Sequence, residues 1–236
     1  MNERKSRQYD ETIYRHGSYD DIMWEAERPL LLQEVVRYRD HIGRIEYLDF
    51  GCGTGRVLQL LEKEVDGALG IDISESMVAL ARSKGVRAPI IVGDITHHDS
   101  IGPKTFQLIT AFRIFLNAGP DLSRQMLDVL VPKLDSKGLF IFNMHGNLWS
   151  HRMFTKAWLL LHGHTLNTSS YWQVKKMLKP HRLTIVRFYG FGFMPKILYR
   201  IFGARVLFAI DRACARLPIL KYISYNLIFV CKKSTS

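Results

Sequence analysis

Three acids and a glycine-rich loop are the residues of this chain best suited to binding a ligand. Asp49 directly precedes the loop Phe50-Gly51-Cys52-Gly53-Thr54-Gly55, and Asp72 and Asp94 follow it at similar intervals. The glycines let the backbone turn sharply and approach a ligand where a Cβ would collide. A carboxylate just before the loop would repel a pyrophosphate and attract a cation. The arrangement predicts a nucleotide-type site that prefers a cationic ligand.

The spacing of the glycines separates two kinds of nucleotide-binding loop. A dinucleotide site requires G-x-G-x-x-G, with the pyrophosphate on the helix N-terminus. Here Gly55 comes one residue too early, and Arg56 stands where the third glycine would be. The segment Leu48-Asp49-Phe50-Gly51-Cys52-Gly53-Thr54-Gly55 instead resembles the first motif of the class I S-adenosylmethionine-dependent methyltransferases. The sulfonium and amino groups of that cofactor suit an acid at position 49. A structural βα turn remains the alternative for the loop taken alone.

Alternating strands and helices place the acids at strand ends. We predict strands over residues 44–50, 67–73, 88–92, 106–112 and 139–144, with helices over 55–63, 76–84 and 121–134. This order predicts a parallel, doubly wound α/β sheet. Ligands bind at the carboxyl ends of the strands of such a sheet, so we expect Asp49, Asp72 and Asp94 along one edge.

The flanking segments complete a single predicted domain over residues 1–236. Residues 20–40 have the periodicity of an amphipathic helix that Pro29 bends or restarts. After the core come predicted helices at 148–161 and 171–178, a strand at 183–188, a basic, aromatic, helical stretch at 190–224 and a last strand at 224–231. The resemblance implies a seven-stranded, mostly parallel, Rossmann-like sheet with a helical insertion before its last strand. We therefore predict four parts: a lid-like arm (1–40), a cofactor-binding core (41–189), a substrate cap (190–224) and a final strand with tail (225–236).

The resemblance also implies which residues bind S-adenosylmethionine and its product, S-adenosylhomocysteine. Asp72 comes 17 residues after Gly55, close to the interval of about 20 at which an acid binds ribose hydroxyls in nucleotide folds. Asp94 would receive the adenine amino group. The other implied cofactor contacts lie on the arm, on the loop and at the ends of the second, third and fourth strands: Tyr14, Tyr19, Arg28, Asp49, Gly51, Cys52, Gly53, Thr54, Gly55, Ile73, Met77, Ile95, Ala111, Phe112 and Arg113.

The candidates for catalysis and acceptor binding follow the fourth and fifth strands. Methyl transfer from a sulfonium is an in-line displacement, and a general base is needed only when the acceptor atom holds a proton of high pKa. His145 is the candidate base because the ordinary pKa of histidine lies near neutrality. Asn117, Asn143 and Asn147 are predicted to contact the acceptor. Loop caps and backbone hydrogen bonds are the alternative roles for residues 143–147.

Several chemistries are disfavoured by what the sequence lacks. Residues 106–117 contain neither the Pro-Pro-aromatic motif of N6-adenine methyltransferases nor a Pro-Cys nucleophile, which argues against DNA bases as acceptors. The pairs His97-His98 and His162-Gly163-His164 have no carboxylate or cysteine partners at ligand spacing, so we predict no metal site. Three scattered cysteines argue against a disulfide framework and favour a reducing, cytoplasmic setting.

The net charge of +11 is concentrated near the C-terminus. Residues 175–236 hold 13 Lys+Arg and one acid, whereas the first 174 residues hold 20 and 21. Such a segment favours an anionic partner, either a membrane surface, a phosphorylated substrate or nucleic acid. Residues 197–216 have the pattern of a basic amphipathic helix, or of a core helix with a solvated basic face. We see neither a transmembrane stretch of roughly 18 apolar residues nor a signal peptide, so we expect a cytoplasmic protein able to contact the inner membrane face.

The sequence therefore predicts an S-adenosylmethionine-dependent methyltransferase. We expect the methyl group to reach a hydroxyl, or a nitrogen or carbon atom, of a small acceptor that is anionic or linked to a lipid or sugar. One alternative is a protein that keeps this fold as a non-catalytic partner. Less favoured are an NAD-dependent oxidoreductase, which would have to tolerate Asp49 beside a pyrophosphate, and an RNA methyltransferase that uses the basic segment. The sequence does not determine the oligomeric state.

Overall fold

A computed structural model describes residues 17–115, 118–164 and 168–234. Its strands are, in chain order, β1 Glu46–Phe50, β2 Gly67–Asp72, β3 Ile90–Val92, β4 Phe106–Ala111, β5 Leu134–His145, β6 Leu183–Phe191 and β7 Asn226–Lys233. They form one sheet in the order β3-β2-β1-β4-β5-β7-β6. Strands β1 to β5 are parallel, and β7 runs antiparallel between β5 and β6. The predicted doubly wound, mostly parallel sheet of seven strands is confirmed.

Helices cover both faces of this sheet. The α-helices of the described residues are α1 Tyr19–Ile42, α2 Arg56–Leu61, α3 Glu75–Ser83, α4 Pro120–Lys133, α5 Arg152–Leu161, α6 Tyr171–Leu178, α7 Lys196–Phe202 and α8 Ala204–Ala215. Buried side chains of α1, α2 and α3 pack on one face, and those of α4 and α6 pack on the other. Helices α7 and α8 form the predicted insertion between β6 and β7.

The central strands are apolar on both faces, as a buried parallel sheet requires. In β5, Leu139 and Ile141 belong to the core on the α1 side, while Phe140 and Phe142 belong to the core on the α4 side. This alternation follows from the period of two in a strand. Because both faces are covered, the carboxyl edge of the sheet is where a binding cavity is expected.

Local hydrogen bonding explains where the observed elements differ from the predicted ones. Helix α5 begins at Arg152 rather than at residue 148, because Asn147 and Ser150 fold residues 147–150 into a turn: the Trp149 N–H donates to Asn147 Oδ1, and the Ser150 hydroxyl donates to the Asn147 carbonyl. Pro29 lies inside α1 without interrupting it. Strand β6 continues to Phe191, so the inserted helices begin later than residue 190.

Candidate active site

A cavity of about 530 Å³ lies at the carboxyl ends of β1, β2, β3 and β4. The three acids that the sequence places at strand ends all line it, together with most of the glycine loop. The predicted cofactor-binding residues found in its wall are Asp49, Gly51, Cys52, Gly53, Thr54, Asp72, Ile73, Met77, Asp94, Phe112 and Arg113.

Asp49 is held rigidly and keeps one oxygen without a partner. The Tyr47 hydroxyl lies 2.7 Å from Thr110 Oγ1, and Thr110 in turn donates to Asp49 Oδ1 at 2.6 Å. The other oxygen, Oδ2, is buried and has no hydrogen-bond partner among the described residues. Burial, aided by the negative charge of Asp72, raises the pKa of Asp49 from 3.8 to about 7. A cation in the cavity would satisfy this carboxylate and restore its charge.

Asp72 joins the glycine loop to the start of α3. The Gly53 N–H donates to Oδ2, and the Ser74 N–H donates to Oδ1, both at 2.8 Å. Each carboxylate oxygen has a second lone pair. Asp72 can therefore accept two further hydrogen bonds from a diol in the cavity.

Asp94 lies on a more exposed part of the wall. Its Oδ1 accepts from the Thr96 N–H and hydroxyl, and His97 Nδ1 is 3.0 Å from Oδ2. Partial burial acts to raise the pKa of Asp94, but these hydrogen bonds outweigh it and hold the pKa below its ordinary value. Asp94 is thus ionised at neutral pH and can accept hydrogen bonds.

The three glycines of the loop have different local reasons to be glycine. Gly51, Gly53 and Gly55 all adopt positive φ, at +67°, +53° and +77°. Gly55 does not line the cavity, because it begins α2 and packs against α3: a Cβ there would lie 2.5 Å from Val86 Cγ2 and 3.1 Å from Ala81 Cβ. Its part in the site is to let α2 approach α3.

Helix α1 closes the cavity with residues that sequence reasoning missed. Trp24 and Glu27 line the wall and are buried. The Arg56 guanidinium lies 5.3 Å from the centre of the Trp24 ring and 4.0 Å from Asp21. The sequence shows a glutamate within an amphipathic helix. It does not show which face of that helix lies over the cavity.

Arg113 and Asn143 connect the ends of β4 and β5 to α1. Arg113 has a φ of +61°, which is uncommon for a residue other than glycine, and its backbone N–H donates to Asn143 Oδ1 at 2.6 Å. Its guanidinium donates to Asp20 at 2.7 Å. The Asn143 amide donates to Glu27 Oε1 at 3.0 Å. These contacts hold a strained turn against the cavity.

Several predicted cofactor contacts lie away from the cavity. Arg28 is exposed, because it is rotated by about 100° along α1 from Glu27. Tyr19 packs against the rings of Tyr199 and Tyr225, at 5.6 and 5.8 Å. Two further residues, Ile95 and Ala111, are buried in the core on the α4 side. Tyr14 and Asn117 fall outside the described residues.

The predicted acceptor contacts Asn143 and Asn147 are engaged by the protein. Asn143 is 1% exposed and bonds as described above; Asn147 is fully buried, and its amide donates to the carbonyls of Tyr222 and Ser224. Their positions support the alternative of loop and backbone bonding rather than contact with an acceptor.

His145 is partly buried and does not line the cavity. Burial, followed by the positive charge of Arg113, lowers the pKa of His145 from 6.5 to about 4. The imidazole is therefore neutral at pH 7 and is a weak base. A catalytic role for His145 stays a prediction.

Metal clusters and membrane-spanning helices are both absent from the described part of the chain. No group of three or more His, Cys, Asp or Glu side chains there is arranged to hold a metal ion. Likewise, no helix there is long and apolar enough to cross a membrane.

Known proteins resemble this chain in sequence and in fold. Residues 48–138 match the family model described as a methyltransferase domain. A protein of Geobacillus sp. (strain WCH70), whose name places it among the methyltransferases, is 28% identical over 146 residues. That match covers 59% of this chain and 59% of the relative, so the chain spans less than two thirds of the relative's length.

Two solved structures have the same fold over almost their whole length. A methyltransferase of Clostridium acetobutylicum that depends on S-adenosylmethionine has a TM-score of 0.63 and 15% identity, with 98% of each chain covered. The magnesium protoporphyrin IX methyltransferase of Synechocystis PCC 6803, with bound S-adenosylhomocysteine, has a TM-score of 0.64 and 16% identity, with 99% of this chain and 100% of that chain covered. Residues 48–138 thus match a methyltransferase domain, and the chain shares its fold with these two methyltransferases.

Proposed function

We propose that this protein moves a methyl group from S-adenosylmethionine to a hydroxyl oxygen, or to a nitrogen or carbon atom, of a small acceptor. The observation that carries the proposal is the unpartnered, buried oxygen of Asp49 in a cavity that also contains Asp72 and Asp94. A buried carboxylate without a partner is costly. A ligand with positive charge and a ribose would satisfy all three acids.

The order of the strands supports an extended cofactor along the cavity. Asp94, Asp72, Asp49 and Arg113 lie at or just past the carboxyl ends of β3, β2, β1 and β4, which are neighbours in that order. Because neighbouring strands are about 4.8 Å apart, β3 and β4 are separated by about 14 Å. If Asp72 and Asp94 bind the adenosine, the sulfonium and the amino-acid end of the cofactor would lie near Asp49 and Arg113.

The chain's contribution to the reaction is alignment and exclusion of water. The bound cofactor supplies a methyl group that is already activated, so an acceptor held in line with it needs little further assistance. Helix α1 covers the cavity with Trp24, and Arg56 closes the side next to it. An acceptor hydroxyl must also lose a proton, for which His145 is the candidate base.

Calorimetric titration of S-adenosylmethionine, S-adenosylhomocysteine and NAD tests the cofactor assignment. We expect both adenosyl ligands to bind, and Asp72→Asn to weaken them by about 1.5–3 kcal/mol, the range for hydrogen bonds to a charged group. Asp66→Asn is a matched control, since Asp66 also accepts a backbone N–H, from Ile45 at 2.8 Å, but lies away from the cavity. Tighter binding of NAD would favour an oxidoreductase. A folded wild type that binds no adenosyl ligand would favour the non-catalytic partner.

The exposed apolar side chains of the inserted helices support a lipid-linked acceptor. Val206 and Ile210 form an exposed stripe on α8, next to the buried stripe of Leu207 and Asp211. We define the cap face by the exposed apolar residues between β6 and β7: Ile197, Ile201, Phe202, Val206, Ile210, Leu217, Ile219 and Ile223.

Cations border the cap face. Arg212 on α8 and Arg216, which directly follows that helix, are exposed. At 100° per residue, both lie on the far side of the Val206 and Ile210 stripe from the buried residues. An apolar stripe beside a basic one suits the interface of an anionic bilayer. We therefore include in the proposal that this face contacts an anionic membrane and that the acceptor is anionic or linked to a lipid or sugar.

A further inference from the structure

Glu27 is a buried acid that points at the cavity from α1. Its side chain is 1% exposed, yet it is part of the cavity wall. Oε1 accepts one hydrogen bond, from the Asn143 amide. Within residues 17–115, 118–164 and 168–234, Oε2 receives none. Half of the carboxylate is therefore available to a ligand.

No cation of the described residues forms an ion pair with Glu27. The two arginines that act on it electrostatically, Arg113 and Arg56, pair with Asp20 and Asp21 instead. Burial accordingly raises the pKa of Glu27, and the positive charge of Arg113 only partly opposes it. A buried carboxylate with one neutral donor is an unfavourable arrangement unless another positive group completes it.

The position of Glu27 identifies which part of a ligand it can reach. Its contacts are Asn143, on β5, and Arg113, at the end of β4. Both strands lie beyond β1 on the side away from β2 and β3. Glu27 is therefore at the opposite end of the cavity from Asp94, beyond the acids suited to the ribose and the adenine.

That end of the cavity carries both signs of charge. Glu27 and Asp49 supply carboxylates, and Arg56 and Arg113 line the same wall. A free α-amino acid group has an ammonium and a carboxylate close together, so it matches a wall that carries both acids and arginines. A singly charged anion or an apolar group would leave Glu27 uncompensated.

We propose that Glu27 binds the α-ammonium group of the cofactor's amino-acid end, with Asn143 fixing the orientation of its carboxylate. This inference rests on the proposed function and specifies a residue of its binding site. Asp49 supplies the second negative charge at this end, next to the sulfonium.

Titration of two ligands into two variants tests the inference without an acceptor. S-adenosylhomocysteine has the amino-acid end, whereas 5′-deoxy-5′-methylthioadenosine lacks it and keeps the adenosine and the sulfur. Glu27→Gln keeps the shape of the side chain and removes its charge. We expect its affinity for S-adenosylhomocysteine to fall about 10- to 100-fold, as for a lost hydrogen bond to a charged group, and its affinity for methylthioadenosine to change by less than about twofold.

Glu34→Gln is the matched control. Glu34 lies on the same helix and is also 1% exposed, but it bonds to Arg187 and Tyr189 away from the cavity. We expect it to lower the thermal midpoint and to leave the ratio of the two affinities unchanged.

Two results would overturn the role of Glu27: an unchanged affinity of Glu27→Gln for S-adenosylhomocysteine, or an equal loss for both ligands, which would show that Glu27 acts through the fold. Failure of the wild type to bind either ligand would instead refute the proposed function itself. Circular dichroism of each variant distinguishes loss of folding from loss of contact. If Glu27→Gln does not fold, Asn143→Ala provides the second test, with the same selective loss expected because Glu27 loses its orientation.

Discussion

At the scale of single residues, the cavity contains buried acids whose negative charge is unfavourable when no ligand is bound. Asp49 is 2% exposed, and burial raises its pKa to about 7, so much of it is protonated near neutral pH until a cation arrives. Since its folded pKa exceeds its ordinary value of 3.8, its contribution to stability is most favourable below pH 4, declines up to about pH 7 and is constant above. Binding and stability therefore oppose each other at this position.

Asp49→Asn should separate these two effects. The amide can keep the bond from Thr110 and never ionises, so we expect the variant without ligand to gain stability over wild type as the pH rises from 5 to 7. The gain over this range should be about 2–3 kcal/mol, because each pH unit between the two pKa values contributes at most about 1.4 kcal/mol. Urea denaturation at pH 5, 6, 7 and 8 measures it. Calorimetry at pH 8 should show weaker binding of S-adenosylmethionine. A variant that is less stable than wild type at pH 8 would contradict the assignment.

At the scale of elements, the turn from β1 into α2 depends on close packing as well as on backbone freedom. Gly55 adopts positive φ and also packs closely against Ala81 of α3 and against Val86, which follows that helix. Gly85 has a similar φ of +83°, but a Cβ there would meet nothing within 4 Å. The two glycines therefore allow strain and steric overlap to be measured separately.

Gly55→Ala should destabilise the protein more than Gly85→Ala. For Gly85→Ala we expect a loss of about 1–2 kcal/mol from the left-handed backbone alone. For Gly55→Ala we expect about 1–3 kcal/mol more, the usual range for overpacking. Adding Val86→Ala to Gly55→Ala should recover part of that difference in urea denaturation. Equal losses for the two single variants would show that the packing of α2 on α3 tolerates a methyl group.

The sequence predicted the elements of the core better than the residues of α1 that line the cavity. Periodicity and the glycine loop predict β1 to β5. Each acid lies at or just past a strand end, so Asp49, Asp72 and Asp94 were assigned to one edge correctly. The orientation of α1 is set by packing between distant parts of the chain, which a local pattern does not contain. For that reason Arg28 was chosen and Trp24 and Glu27 were missed.

The roles of the residues predicted to contact the acceptor were harder to assign for a similar reason. Asn143 and Asn147 have the side chains expected of an acceptor site. Their partners, Glu27 and the carbonyls of Tyr222 and Ser224, are far away in sequence. Only the folded chain shows that their hydrogen-bonding capacity is already used.

At the scale of the whole molecule, charge and exposed apolar surface lie in the same quarter of the chain. Residues 175–236 contain 13 Lys+Arg and one acid, and the cap face lies within them. Apolar burial and attraction to anionic lipid would then act together, and only the second is screened by salt.

Sedimentation with lipid vesicles tests the membrane contact. We expect the wild type to bind vesicles that contain phosphatidylglycerol, to bind pure phosphatidylcholine vesicles less, and to be partly released by 0.5 M salt. Val206→Asp should reduce binding several-fold, because it places a charge in the cap face. Val36→Asp is the control, since Val36 is similarly exposed, at 49% against 56%, but lies on α1. Equal effects of the two variants, or no binding by the wild type, would refute the contact.

Pro29 has a consequence for how fast the cofactor exchanges. A proline has no N–H, so the carbonyl of Glu25 lacks its usual helical partner at the middle of α1. On one side of this proline lie Trp24 and Glu27, which line the cavity. On the other side, Leu31, Val35 and Tyr38 are anchored in the core. If the first half of the helix opened to exchange a ligand, it would therefore have to break the ion pair between Asp20 and Arg113 and withdraw Met23 and Trp24 from the core.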